Sequence, residues 1–167
     1  MKKLQNHRGF TLIELMVAMA IVAIMSAIAF PFFGDFLDNR NLKSAARDLA
    51  GDIFQLKEQA IAEDRLYQIS FDQGGNTYKF GKCLDTALPC NLDNTTTNTK
   101  SPSAFQNGIV ISALSLPAGT VIQIQPRGII NPVGSGTVTL RNGKGSQARI
   151  NISLTGRTSV DWTGTLQ

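Results

Sequence analysis

Few side chains in this sequence are equipped for chemistry, and their positions limit what that chemistry is. The one histidine, His7, lies within Met1–Gly9, ahead of a long apolar run. If that leader is removed, no Ser-His-Asp or Cys-His arrangement can be assembled. The carboxylates from Asp48 to Asp64 fall within a helical pattern, and solvated charge on outward faces accounts for them. Gly74-Gly75 and Gly134-Ser135-Gly136 read as turns, and neither opens a helix, so no phosphate loop or dinucleotide fingerprint is present. The chain therefore reads as a non-enzyme, without a cofactor. A zinc site is not expected, because two cysteines are too few ligands.

Those cysteines, Cys83 and Cys90, have six residues between them in a stretch rich in turn formers. In an exported domain they favour one disulfide, and closing so short a loop contributes roughly 2–3 kcal/mol in the chain-entropy model. In a reducing compartment they would be a pair of inert thiols.

Glu14 is the most informative residue. It interrupts a run, Phe10 to Phe33, in which Thr11 and Ser26 are the only other polar side chains. A buried carboxylate there costs a few kcal/mol on insertion scales and calls for a partner. None of Gly9 to Asn39 is Lys, Arg or His. Cleavage after Gly9 would create one: the α-amino group of Phe10, within reach of the acid on a neighbouring helix or, less easily, on its own. Such pairing would fix axial register between helices. The alternative is a glutamate at the membrane edge, solvated by headgroups.

The elements that must position these groups follow from pattern. Phe10–Phe30 is twenty-one residues, about 30 Å as a helix, which matches the hydrocarbon thickness of a bilayer. Lys2, Lys3 and Arg8 precede it, which places the N-terminus in the cytoplasm and the rest beyond the membrane. No small-residue cleavage site ends the run, so the alternatives are an uncleaved signal anchor and a segment retained after cleavage at Gly9. Pro31 is expected to kink or locally melt the helix. Beyond it Leu42, Ala46, Leu49, Ile53, Leu56 and Ala60 recur at spacings of four and three, an amphipathic helix ending near Arg65 with Lys43, Arg47, Asp48, Asp52 and Glu58 facing outward.

After Tyr67 the period changes. Tyr67–Phe71 and Thr77–Phe80 flank Asp72-Gln73-Gly74-Gly75-Asn76, a hairpin signal. Cys83–Ser103 reads as a loop, with Asn91–Lys100 exposed. Further strands are expected at Gly108–Ala113, Thr120–Gln125, Gly136–Leu140 and Ala148–Leu154. The fold class is α+β: residues 1–9 a leader, 10–33 a transmembrane or filament-core helix, 34–66 an amphipathic helix, and 67–167 an antiparallel β domain.

Arg8-Gly9-Phe10-Thr11-Leu12-Ile13-Glu14-Leu15, with the basic leader before it and Pro31 after the apolar run, resembles the prepilin-peptidase site of type IV pilins and type II secretion pseudopilins. The resemblance implies cleavage between Gly9 and Phe10 and N-methylation of Phe10 by a membrane aspartic peptidase, with Glu14 serving recruitment and assembly. It also implies other pilin subunits and an inner-membrane assembly platform as partners, with membrane lipid around the helix before assembly. Pro126-Arg127-Gly128, Gly136-Thr137-Val138-Thr139-Leu140, Ala148-Arg149-Ile150-Asn151-Ile152 and Thr155-Gly156-Arg157 resemble the GspH/FimT group of minor pilins and pseudopilins. Mid-chain cysteines, and Asp161 as the only acid after Asp93, depart from major pilins and from the calcium-binding major pseudopilins. A minor subunit that primes or caps a type IV pilus or type II secretion pseudopilus is the reading these features favour.

Charge supplies a second reading. Residues 10–66 carry five bases against eight acids, and residues 104–167 five bases against one acid. Some FimT relatives bind DNA in natural transformation through a Gly-Arg-x-Arg element; Gly156-Arg157-Thr158-Ser159 matches its first two residues, with serine in place of the second arginine. Arg141, Lys144, Arg149 and Arg157 could form a basic strip that holds DNA phosphates, with Trp162 stacking on a base or packing on the sheet. A solvated, mildly basic face accounts for the same residues. A third reading is an uncleaved, membrane-anchored periplasmic protein.

Overall fold

The computed structural model describes residues 10–163, and for 29–33 and 35 the backbone alone. One helix, α1, runs Leu12–Glu63. Among the described residues nine strands follow: β1 Tyr67–Asp72, β2 Thr77–Lys82, β3 Asn98–Lys100, β4 Val110–Ser115, β5 Val121–Ile124, β6 Ile130–Asn131, β7 Gly136–Arg141, β8 Gln147–Ile152 and β9 Thr158–Thr163. They form two antiparallel sheets, ordered β3-β2-β1-β5-β6 and β4-β7-β8-β9. The α+β class expected from the sequence is the one observed. The chain divides into two compact units between Leu37 and Asp38.

The core of the second unit is the amphipathic stripe. Leu42, Ala46, Leu49, Ile53, Leu56 and Ala60 are each 2% exposed or less, and they pack with Ile69, Ile122 and Ile124 of the first sheet and Val138, Leu140, Ile150 and Ile152 of the second. One helix face thus serves both sheets. The residues at alternate positions on β8 explain its part: Ala148, Ile150 and Ile152 are buried, and Arg149 between them is exposed.

Three expectations need correction. The backbone is helical through Pro31, so local melting is not found there; proline removes only its own donor, and the long helix on either side continues. The stretch read as a loop contains β3, paired with β2 through Tyr78↔Lys100 and Phe80↔Asn98. Asp93 also organises the turn before it, accepting from the Thr95 N–H at 2.9 Å and the Thr97 hydroxyl at 2.8 Å. Asp52, assigned to an outward face, is 6% exposed.

Among the described residues no helix is long and apolar enough to cross a membrane. The fully described part of the expected 10–33 span stops at Ile28, and Gly9 with the rest of the leader lies outside the described residues.

Candidate functional site

The start of α1 is built by Thr11. Its carbonyl accepts from the Leu15 N–H at 3.2 Å and its hydroxyl from the Glu14 N–H at 3.3 Å. Thr-x-x-Glu is the residue pattern of a helix N-terminus, and an acid in the first turn suits the helix dipole. Ser26, the other polar residue of the run, donates to the Val22 carbonyl at 2.8 Å. Both hydroxyls are thereby occupied within the helix. The Glu14 carboxylate has no hydrogen bond or ion pair among the described residues. Around it the apolar side chains are bare, from Leu12 at 76% exposed to Ile28 at 64%. Phe10 is exposed as well; the side chain of Pro31 lies outside the described residues.

The second half of α1 is the opposite case. Asp52 accepts from the Tyr78 hydroxyl at 2.8 Å and from Lys100 Nζ at 2.8 Å, and Lys100 also reaches Asp48 at 3.1 Å. Burial, then the bond to Asp52, holds the Tyr78 phenol far above its ordinary range. Burial alone would lower Lys100, but its bonds to Asp52 and then Asp48 outweigh that and raise it. At the helix end Glu63 meets Lys82 at 2.9 Å.

Cys83 and Cys90 form a disulfide, with Cα atoms 5.7 Å apart. Their loop lies against two buried glutamines paired across β1 and β5, Gln68 and Gln123. Gln68 accepts from the Cys90 N–H at 2.7 Å, and the Gln123 amide donates to the Ala87 carbonyl. Asn131 donates to Gln123 at 2.9 Å. The loop therefore covers the sheet face that α1 does not. Sequence reasoning missed the two glutamines; their one signal was a polar residue inside each apolar strand.

The basic residues are spread along the second sheet. Arg141 and Lys144 belong to the β7–β8 end, where Asn142 Nδ2 donates to Asn39 at 3.3 Å. Arg157 lies in the β8–β9 turn, where Gly156 approaches the Lys57 side chain. Asn39 and Lys57 are eighteen residues apart on α1, about 27 Å. Arg149 stands between, opposite Asp161 on β9. Trp162 packs against the core with Lys43 Nζ 5.6 Å from its ring centroid, so it sits on the face opposite Arg149.

Residues 4–30 match the prokaryotic N-terminal methylation motif, and residues 45–156 match the type II transport protein GspH family. This chain is a member of the GspH family. Type II secretion system protein H of Pseudomonas aeruginosa is 39% identical over 70 residues, 42% of this chain and 41% of that protein. Fimbrial protein Q of Moraxella bovis is 30% identical over 118 residues, 69% and 66% of the respective chains. The chain thus spans less than two thirds of the length of these relatives. In fold it is similar to the type IV minor pilin FimU of Pseudomonas aeruginosa, with a TM-score of 0.56 at 15% identity over 79% of this chain and 95% of that one. The minor pseudopilin EpsH of Vibrio cholerae gives 0.53 at 15% over 76% and 99%. The two solved structures are of a minor pilin and a minor pseudopilin.

The family-like glycines have a packing role here. Gly128 and Gly156 both adopt positive φ, +72° and +67°. A Cβ on Gly128 would stand 2.9 Å from Lys57 Cε, and one on Gly156 3.1 Å from the Gly128 carbonyl. The Ile130 N–H donates to the Leu154 carbonyl at 3.0 Å beside them. Two turns, one from each sheet, are thus closed over one lysine stem of the helix.

Proposed function

We propose that this chain is a minor pilin or pseudopilin subunit, cut between Gly9 and Phe10 and N-methylated at Phe10, that primes or caps a pilus or secretion pseudopilus. The observation that carries this reading is the Glu14 carboxylate. It is the one polar side chain of residues 11–28 left without an internal partner, on a helix whose apolar surface is uncovered. Lipid can cover such a surface but offers no fixed cation. A bundle of like helices offers both apolar contact and, after cleavage, an amine at each N-terminus.

Before assembly the helix resides in the inner membrane with its N-terminus cytoplasmic and residues 38–167 periplasmic. A prepilin peptidase exposes Phe10, and an assembly platform moves the helix from lipid into the bundle. Lipid is as apolar as leucine, so close packing and the Glu14–amine pair supply register. Glu14→Val should remain in the membrane fraction yet be depleted about tenfold or more from sheared filaments, read by quantitative immunoblotting. Mass spectrometry of the native chain should find methylated Phe10 first; an intact Met1 would overturn the reading.

A further inference from the structure

A cleft of about 490 Å³ opens on the outer face of the second sheet, at the end marked by the β8–β9 turn. Its floor is a row of residues registered across all four strands: Ser115, Thr137, Asn151 and Ser159. Ser135 and Arg157 complete the lining that matters here. No carboxylate lines it. Asp161, outside the lining, borders the floor: it accepts from the Asn151 amide at 2.6 Å and faces Arg149 in register. Among the described residues, the Arg157 guanidinium and the hydroxyls of Ser115, Ser135, Thr137 and Ser159 have no hydrogen-bond partner.

We infer that this cleft binds an acidic, extended segment of a protein partner, with a glutamate or aspartate side chain on Arg157. The size fits a short peptide and exceeds a free phosphate or sulfate, since pockets of roughly 300–1,000 Å³ enclose ligands of many atoms. Four strands about 4.8 Å apart give a floor some 14 Å long, enough for about four extended residues. Hydroxyls that both donate and accept suit a peptide backbone, and the guanidinium suits a carboxylate bidentately. Nucleic acid is served poorly by the same site. One cation answers a polymer that is charged at every step, and no aromatic ring lines the cleft to stack a base. Arg141 and Lys144 lie at the far end of the sheet, and Arg149 faces an acid.

The test uses the full chain in detergent micelles and fluorescence anisotropy with labelled, end-blocked Ser-Glu-Ser-Glu and Ser-Gln-Ser-Gln peptides. The glutamate peptide should bind at least about tenfold more tightly. Arg157→Gln should remove that preference, Arg149→Gln should change it less than about twofold, and Ser159→Leu should block both peptides by filling the floor. Equal binding of the two peptides, or an Arg157→Gln variant that binds unchanged, overturns the inference. So does inorganic phosphate competing as strongly as the peptide, which would mark a small-anion site. Tighter binding of a single-stranded DNA 12-mer, weakened equally by Arg149→Gln and Arg157→Gln, would assign the face to nucleic acid instead.

Discussion

The two halves of α1 differ in composition, one almost wholly apolar and one amphipathic, and are satisfied in different ways. From Leu42 to Ala60 every apolar stripe position is buried and the carboxylates nearest it, Asp48 and Asp52, are bonded to groups on β2 and β3. From Leu12 to Ile28 the apolar side chains are open and the one acid is unmatched. The first pattern is that of a helix completed by its own chain. The second is that of a helix that needs other molecules to be completed. Within α1, the residues from Leu42 to Ala60 are thus covered by the chain's own strands, and those from Leu12 to Ile28 are left uncovered.

Substitutions can break this contrast. Leu49→Ala removes a fully buried side chain facing both sheets and should cost about 2–5 kcal/mol in denaturant unfolding of the β domain, whereas Ile21→Ala should leave that unfolding unchanged within about 0.5 kcal/mol. A large effect of Ile21→Ala would show the halves to be coupled. Next, Cys83→Ser with Cys90→Ser should lower stability by roughly 2–3 kcal/mol, and amide exchange should rise first around Ala87 and Cys90, where the loop meets Gln123 and Gln68. Gly156→Ala places a Cβ at a φ of +67° and close to Gly128, and should cost about 1–2 kcal/mol in the same assay.

The smallest effect expected is local and acid-dependent. Asp85 and Asp93 are held below the ordinary aspartate value of 3.8, by the Ala87 and Thr95 N–H groups respectively. A depressed carboxylate stabilises the fold above its unfolded value and loses that contribution as pH falls through its folded one. Amide shifts of residues 84–97 should therefore change below pH 3.8 while the Trp162 tertiary signal persists.

Much of this was legible in the residues. The stripe from Leu42 to Ala60 follows from apolar period, and the β1–β2 hairpin and the cores of β4, β5, β7 and β8 from apolar runs set between turn residues. What escaped was polar or short. Asn98-Thr99-Lys100 has no apolar alternation, and β3 exists because the edge of β2 is free to pair with it. β6 is two residues long. β9 does alternate, Val160 and Trp162 inward, but its inner positions are only partly buried and its exposed ones include Asp161. Asp52 was misassigned because helical spacing shows a face and not what covers it; the covering groups, Tyr78 and Lys100, arrive from 26 and 48 residues away. The basic residues were legible as a count, whereas their division between opposite sheet ends required the registers.

The carboxylate of Asp52 also ties the helix lengthwise to two strands. If a growing fibre draws on the helix along its length, slippage by one turn, about 5.4 Å, would carry that anion out of reach of both phenol and ammonium. The bonds from Asp52 to Tyr78 on β2 and Lys100 on β3 thus oppose such sliding.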